Sequence, residues 1–108
     1  MFDVVLLGLG ADGHTASLFP GSRVLAERDQ WVAAVVGDTS EPRITLTYPV
    51  LESSGHVAFL VAGVNKRAVL ASVRRDDAAL PAARLHTIGS MRIFADEEAA
   101  GGGEVIAV

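Results

Sequence analysis

The segment FDVVLLGLGADGH, at positions 2–14, gives the strongest indication of the fold. It opens with a short, continuous apolar run closed by glycine, which is typical of a strand buried on both faces of a sheet. Further runs of β-type residues follow at positions 31–36, 43–47, 56–62 and 91–95. We therefore expect residues 2–8 to form a central parallel strand, with the other runs as additional strands.

Short helices are expected between these strands. Pro20-Gly21 limits the segment 15–19 to little more than one helical turn. A short helix or turn is predicted at 48–54, a helix at 66–73 with Asn65 as N-cap, and the start of a helix at 96–100. Apolar strands that alternate with short helices predict a single α/β domain over residues 1–108, with a mainly parallel, Rossmann-like sheet and flanking helices. In such sheets, ligands bind beyond the carboxyl ends of the strands.

The composition excludes several classes of function. Thirteen acidic and nine basic residues give a net charge of −4, which offers no global attraction to nucleic acid. No apolar run approaches the roughly 20 residues of a membrane helix, and the first residues lack the basic region of a signal peptide. The sequence has no cysteine, which excludes a disulfide framework, a thiolate metal site and a cysteine nucleophile, and suits a reducing compartment. We expect a cytoplasmic protein with no membrane and no nucleic-acid partner.

Residues 8–14 form a glycine loop directly after the first predicted strand. Its spacing G-x-G-x-x-G can mark a dinucleotide-binding turn. That interpretation requires a full helix after the third glycine, which Pro20-Gly21 prevents, and an acidic residue about 20 positions further on. The candidate for that residue is Asp38, which lies in a predicted loop 25 positions beyond Gly13. We therefore favour a loop whose backbone approaches a ligand closely and whose N–H groups form an anion-binding nest.

The glycine loop also presents Asp12 and His14. A histidine at the carboxyl end of a strand, two residues from a carboxylate, has the ingredients of an oriented general base, because an imidazole titrates near neutral pH. The alternative is a loop histidine that hydrogen-bonds only to backbone, with Asp12 capping a turn. The residue types alone leave both interpretations open.

The segment GLGADGHTASLFP, at positions 8–20, resembles the signature of the 6-phosphogluconolactonase family. Similarity to further blocks of that family continues in the same order, at 42–47, at 57–63 with Lys66, at 80–82 and at 91–100. The resemblance implies the C-terminal portion of the family fold, because family members carry a long part before the signature. An incomplete copy of the fold would leave an apolar edge at strand 4–7, so the implied partners are a complementing N-terminal segment or a second copy of the chain.

The same superfamily contains glucosamine-6-phosphate isomerases, also called deaminases, which share the Asp-Gly-His core. In those enzymes a catalytic glutamate immediately precedes the proline of the signature, whereas this chain has Phe19 before Pro20. A phenyl ring cannot exchange protons. The resemblance therefore implies a lactonase and not a deaminase.

The activity implied by the resemblance is hydrolysis of 6-phospho-D-glucono-1,5-lactone to 6-phospho-D-gluconate in the oxidative pentose phosphate pathway, without metal or cofactor. His14 matches the family's proposed base and would activate water, with Asp12 orienting it. The backbone at Gly8, Gly10 and Gly13 would lie against the substrate and stabilise the oxyanion through loop N–H groups. The alternative is a non-catalytic module that binds sugar phosphates.

Two cations are candidates for the substrate phosphate. Lys66 matches the family's lysine after the strand at 57–63 and is expected near a helix N-terminus, where anions are favoured. Arg43 can reach the same edge of the sheet, and its guanidinium suits bidentate phosphate binding. Each has the alternative of a solvated surface cation. The other histidines, His56 and His86, are expected to be structural or exposed, and Trp31 is expected to fill the core.

Overall fold

The computed structural model describes residues 2–37 and 39–101. The strands and helices, in chain order, are β1 (Val4–Leu7), β2 (Val32–Val35), β3 (Arg43–Leu46), α1 (Tyr48–Glu52), β4 (His56–Val61), α2 (Arg67–Arg74), β5 (Ser90–Ala95) and α3 (Glu97–Ala100). Short 3₁₀ turns lie at Arg23–Ala26 and Val64–Lys66. No helix within these described ranges is long and apolar enough to cross a membrane.

Strands β1, β4 and β5 form a parallel sheet in the order β1-β4-β5. Val4 pairs with His56 and His56 with Ser90, so the three strands start at the same edge. The prediction of an α/β fold with a parallel sheet is confirmed, but β1 lies at an edge of this sheet and is not its central strand. Leu6 is 64% exposed, so one face of β1 is open. An apolar run indicates that a strand tends to be buried on both faces, but it does not indicate which element buries it.

Strands β2 and β3 form a separate antiparallel pair, with Val32 opposite Leu46. The connection at 36–42 can close a hairpin but is too short for the crossover of about a dozen residues that parallel neighbours require. The hairpin is covered on one side, because Val35 is buried whereas Val32 is exposed. Trp31, just before β2, is 62% exposed, so the prediction that it fills the core is wrong.

The core lies against one face of the parallel sheet. Its buried members include Val5, Leu7, Val57, Phe59, Val61, Ile93 and Ala95 from the strands, Val69, Leu70 and Val73 from α2, and Ala99 from α3. The opposite face carries exposed apolar side chains, namely Val4, Leu6, Leu60 and Phe94. Only the 3₁₀ turn Val64–Lys66 separates the end of β4 from α2, so the N-terminal end of α2 lies near the carboxyl edge of the sheet, where β1 and β4 end.

Two predictions about helical segments are wrong. Segment 15–19 contains no helix: the N–H of Leu18 donates to the C=O of Thr15 (2.9 Å), and Ala16 adopts a left-handed backbone with φ 51°, which a helix cannot continue. Helix α2 begins at Arg67, because the 3₁₀ turn Val64–Lys66 occupies the position where Asn65 is predicted as the cap.

Candidate active site

The glycine loop leaves β1 at the carboxyl edge of the sheet and folds back on itself. The N–H of Gly13 donates to the C=O of Gly10 (2.9 Å), and the N–H of Gly10 donates to the C=O of His14 (2.9 Å). The hydroxyl of Thr15, a buried residue, donates to the C=O of Gly8 (2.9 Å). Since these bonds tie both ends of the loop together, the side chains that it carries are held in place.

Two glycines provide the space that the loop needs. A Cβ at Gly10 would lie 2.1 Å from Nδ1 of His14, so the imidazole packs directly on bare backbone. Gly13 adopts φ +88°, in the left-handed region, and a Cβ there would lie 2.6 Å from the side chain of Leu80. A larger residue at either position would displace His14 or Leu80.

The loop N–H groups do not form the continuous nest expected from the sequence. Those of Gly10 and Gly13 are used inside the loop, so they are not available to an oxyanion. Those of Gly8, Leu9 and Ala11 make no hydrogen bond to any residue that the structure describes. Of these three residues, Gly8 and Leu9 line the pocket described below.

Asp12 holds His14 at two points. Its Oδ1 accepts a hydrogen bond from the backbone N–H of His14 (3.0 Å) and lies 2.6 Å from Nδ1 of the ring. Partial burial acts to raise the pKa of Asp12, but the hydrogen bonds from His14 and the charge interaction with its ring outweigh burial and hold that pKa below its ordinary value. Asp12 is therefore an ionised carboxylate at neutral pH, and a carboxylate can only accept hydrogen bonds. In a neutral imidazole, Nδ1 then carries the proton and Nε2 keeps its lone pair.

An aromatic ring contacts the same imidazole. The ring centroids of His14 and Phe19 lie 4.6 Å apart, with the planes inclined by 36°. The guanidinium carbon of Arg43 lies 5.8 Å from the centroid of Phe19. The ring of Phe19 therefore lies in contact with both Arg43 and His14. Sequence reasoning missed this contact, because a turn of unpredicted geometry, and not a helix, brings Phe19 back onto the loop.

Lys66 joins the start of α2 to the glycine loop. Its Nζ donates to the C=O of Leu9 at 2.5 Å, across 57 positions of sequence. A pocket of about 330 Å³ lies here, lined by Gly8, Leu9, Gly10, His14, Ala16 and Lys66. His14 and the backbone of Gly8–Gly10 therefore line one pocket at the carboxyl edge of the sheet. An ammonium has three N–H groups, so two remain for an anionic ligand.

The remaining predicted site residues lie around this pocket. Asp12 contacts Nδ1 of His14, Gly13 packs against Leu80, and none of Asp12, Gly13 and Arg43 lines the pocket. His56 and His86 are exposed, as predicted.

A second, mostly apolar cavity of about 400 Å³ is lined by Phe59, Val73, Arg74, Asp76, Ala82, Ala83, Leu85, His86, Met91 and Ile93. It is larger than the loop pocket, but its Asp76 and His86 form no ion pair in the described structure. The loop pocket is therefore the better candidate for chemistry. Over residues 2–37 and 39–101, no three His, Asp or Glu side chains form a group that could hold a metal ion.

The loop pocket combines an oriented imidazole, uncommitted N–H donors and an ammonium at the carboxyl edge of a parallel sheet. These groups define an α/β domain that can transfer a proton beside an anionic ligand. The sequence identifies which such domain it is. The chain belongs to the family described as Glucosamine-6-phosphate isomerases/6-phosphogluconolactonase, whose model matches residues 1–93.

Individual relatives agree with this assignment. The 6-phosphogluconolactonase of Rattus norvegicus is 45% identical over 105 residues, which cover 93% of this chain and 40% of that protein. The 6-phosphogluconolactonase of Nostoc sp. is 44% identical over 106 residues, covering 95% of this chain and 43% of that protein. The crystal structure of 6-phosphogluconolactonase from Leishmania guyanensis matches with a TM-score of 0.77 and 35% identity, over 93% of this chain and 41% of that chain.

The resemblance carried by residues 8–20 is therefore confirmed at the level of the family. The chain spans about 40% of the length of the curated relatives it matches. It thus contains under half of the family fold.

Proposed function

We propose that this chain hydrolyses 6-phospho-D-glucono-1,5-lactone to 6-phospho-D-gluconate, with His14 as general base. The observation that carries the proposal is the 2.6 Å contact between Asp12 and Nδ1 of His14, in a pocket that also contains Lys66. The contact leaves Nε2 as the basic nitrogen. The names of the family relatives support the substrate class.

The reaction starts with a water molecule next to Nε2 of His14. Nε2 takes a proton from the water while the water oxygen forms a bond to the lactone carbonyl carbon. The carbonyl π electrons move to oxygen, and the N–H groups of Gly8 or Leu9 stabilise the resulting negative charge. Asp12 stabilises the imidazolium that forms, because its charge faces the protonated ring.

Collapse of the tetrahedral intermediate completes the reaction. The carbonyl re-forms, the bond from carbon to the ring oxygen breaks, and the ring oxygen takes the proton from the imidazolium. The product is an open-chain carboxylic acid, which ionises in water, and His14 returns to its starting state. These steps call for no metal or cofactor, and we place the reaction in the cytoplasm, a compartment that suits a chain without cysteine.

Lys66 is the proposed contact for the substrate phosphate within the pocket. Its ammonium is already anchored on Leu9, so little freedom is lost when an anion binds to the two remaining N–H groups. Arg43 is a second proposed contact, reaching the substrate from the far side of Phe19. A guanidinium can bind a phosphate with two parallel hydrogen bonds.

A second candidate function is a sugar-phosphate-binding module without catalysis. It is favoured by the coverage of about 40% of the relatives' length, since contacts that complete the substrate site can come from the remainder. A complementing N-terminal segment or a second copy of the chain is then the proposed partner.

The test is the rate of 6-phosphogluconolactone hydrolysis by this chain, after subtraction of spontaneous hydrolysis. The proposal predicts a rate above background that depends on protein concentration and is lost in His14→Ala. Binding of 6-phosphogluconate with no rate above background would replace it with the binding module. Glucosamine 6-phosphate serves as the control substrate, and release of ammonia from it would contradict a lactonase.

A further inference from the structure

The contact between His14 and Phe19 has a role beyond packing. We infer that Phe19 is a positioning residue, whose ring fixes the plane of the His14 imidazole and thereby the direction of Nε2. The inference rests on the proposed function of His14 as general base. It concerns the orientation of the base and not its identity.

Asp12 alone cannot fix the imidazole plane. The contact between its Oδ1 and Nδ1 of His14 is a single point, about which a ring can still swing. The bare backbone of Gly10 closes one side, since a Cβ there would lie 2.1 Å from the ring. Phe19 supplies a further contact, with its centroid 4.6 Å from that of the imidazole. A ring held by a hydrogen bond, a backbone and an aromatic neighbour has little freedom to swing.

Phe19 is itself held firmly enough to act as this support. It is half-buried and packs against the hydrophobic core. Its neighbour Leu18 is fully buried, and the N–H of Ser17 donates to Oγ1 of Thr45 (3.0 Å) in the β2–β3 hairpin. The turn that carries Phe19 is therefore anchored on both the core and β3.

Arg43 places a cation beside the same ring, with Cζ 5.8 Å from its centroid. A cation–π contact at an exposed site is weak, so it adds only a modest restraint to Phe19. The ring thus connects a candidate phosphate contact on β3 with the candidate base on the glycine loop.

Nuclear magnetic resonance tests the geometry without requiring activity. In the unmodified chain, we expect a nuclear Overhauser contact between ring protons of Phe19 and the Cε1 or Cδ2 proton of His14. Phe19→Leu keeps apolar bulk but lacks a ring, so the His14 imidazole should sample several orientations and its ring resonances should shift to the average over them. Phe19→Tyr keeps the ring and should leave the His14 resonances unchanged. Phe94→Leu is the matched control, since Phe94 lies on the open sheet face and makes no ring contact in the described structure.

Steady-state kinetics of the Phe19 variants provide a second test. Phe19→Leu should lower kcat by about 10- to 100-fold with KM little changed, because misdirecting a catalytic group penalises the transition state. Phe19→Tyr should restore most of the rate. Absence of the Overhauser contact, or a kcat of Phe19→Leu equal to that of Phe94→Leu, would overturn the positioning role. Absence of lactone hydrolysis in the unmodified chain would instead overturn the proposed function and leave the resonance test valid, so the two failures are distinguishable.

Discussion

His14 and His56 lie at opposite ends of the same sheet and have nearly the same hydrogen-bond length. Nδ1 of His14 is 2.6 Å from an oxygen of Asp12, and Nδ1 of His56 is 2.5 Å from Oγ of Ser90. His14 follows the carboxyl end of β1, whereas His56 begins β4 at the amino-terminal edge. Distance alone therefore does not separate a candidate base from a surface histidine.

The partner and the surroundings separate them. A serine hydroxyl both donates and accepts, so Ser90 leaves the proton of His56 free to sit on either ring nitrogen. The Asp12 carboxylate only accepts and holds the proton of His14 on Nδ1. In addition, His14 shares a pocket with Lys66, whereas His56 is exposed. An oriented base requires a hydrogen-bond partner that can only accept, and a cavity next to its unprotonated nitrogen.

The largest expected effect comes from removing each histidine in turn. His14→Ala should lower kcat for the lactone by roughly 10²- to 10⁴-fold, the usual contribution of a general base. His56→Ala should leave kcat within about twofold. Steady-state kinetics, corrected for spontaneous hydrolysis, give both values. An unchanged kcat in a folded His14→Ala chain would remove His14 from the mechanism.

Replacing Asp12 by asparagine makes the surroundings of His14 resemble those of His56. An amide can donate as well as accept, so the proton of His14 is no longer confined to Nδ1. We expect kcat to fall by roughly 10²-fold with KM little changed, because the wrong tautomer cannot act as base. Ser90→Ala, which removes the partner of His56, is the matched control. Equal rates in the two variants would show that the carboxylate has no special role.

Lys66 should affect binding more than chemistry. Lys66→Met should raise KM about tenfold, since a phosphate remote from the lactone carbonyl interacts similarly in the ground state and the transition state. Arg74→Met removes a cation from the other end of α2 and should leave KM unchanged. A fall in kcat without a rise in KM would instead assign Lys66 to shaping the glycine loop through Leu9.

The smallest effect concerns stability at low pH. The pKa of Asp12 is lowered in the folded chain, so its contribution to the free energy of unfolding is present above the unfolded value of 3.8 and is lost as the pH falls through the folded value. Asp12 is 54% exposed, and solvent screens the contribution. Urea unfolding should show that the chain's advantage over Asp12→Asn is steady near neutral pH and shrinks once the pH falls below 3.8. An advantage independent of pH would contradict this.

The part of the site that sequence predicts well is local. Asp12 and His14 are two positions apart, and the glycines beside them restrict the loop, so a short segment determines the pair. The approach of Lys66 to the loop also follows from sequence, because strands that alternate with helices bring successive loops to one edge. Its specific bond to Leu9 does not follow, since no pattern indicates a side-chain contact over 57 positions.

The wrong predictions concern either which surfaces meet or the local geometry of the backbone. Apolar runs at β1 and at Trp31 indicate a preference for burial, yet β1 lies at the sheet edge and Trp31 on a hairpin covered on one side. The N–H groups of Gly10 and Gly13 donate to carbonyls inside the loop because of its backbone geometry, which residue types alone do not determine. Phe19 reaches His14 through a turn that includes a left-handed alanine, a conformation that sequence rarely indicates.

The tautomer of His14 decides whether this residue can act as the base, because a base at Nε2 requires the proton on Nδ1. Nitrogen-15 resonances of the ring nitrogens, recorded at a pH where the histidines are neutral, report where each proton resides. The structure predicts a protonated Nδ1 and an unprotonated Nε2 for His14, with both nitrogens of His56 averaged between the two states. A proton on Nε2 of His14, or an averaged His14 like His56, would contradict the assignment of His14 as the oriented general base.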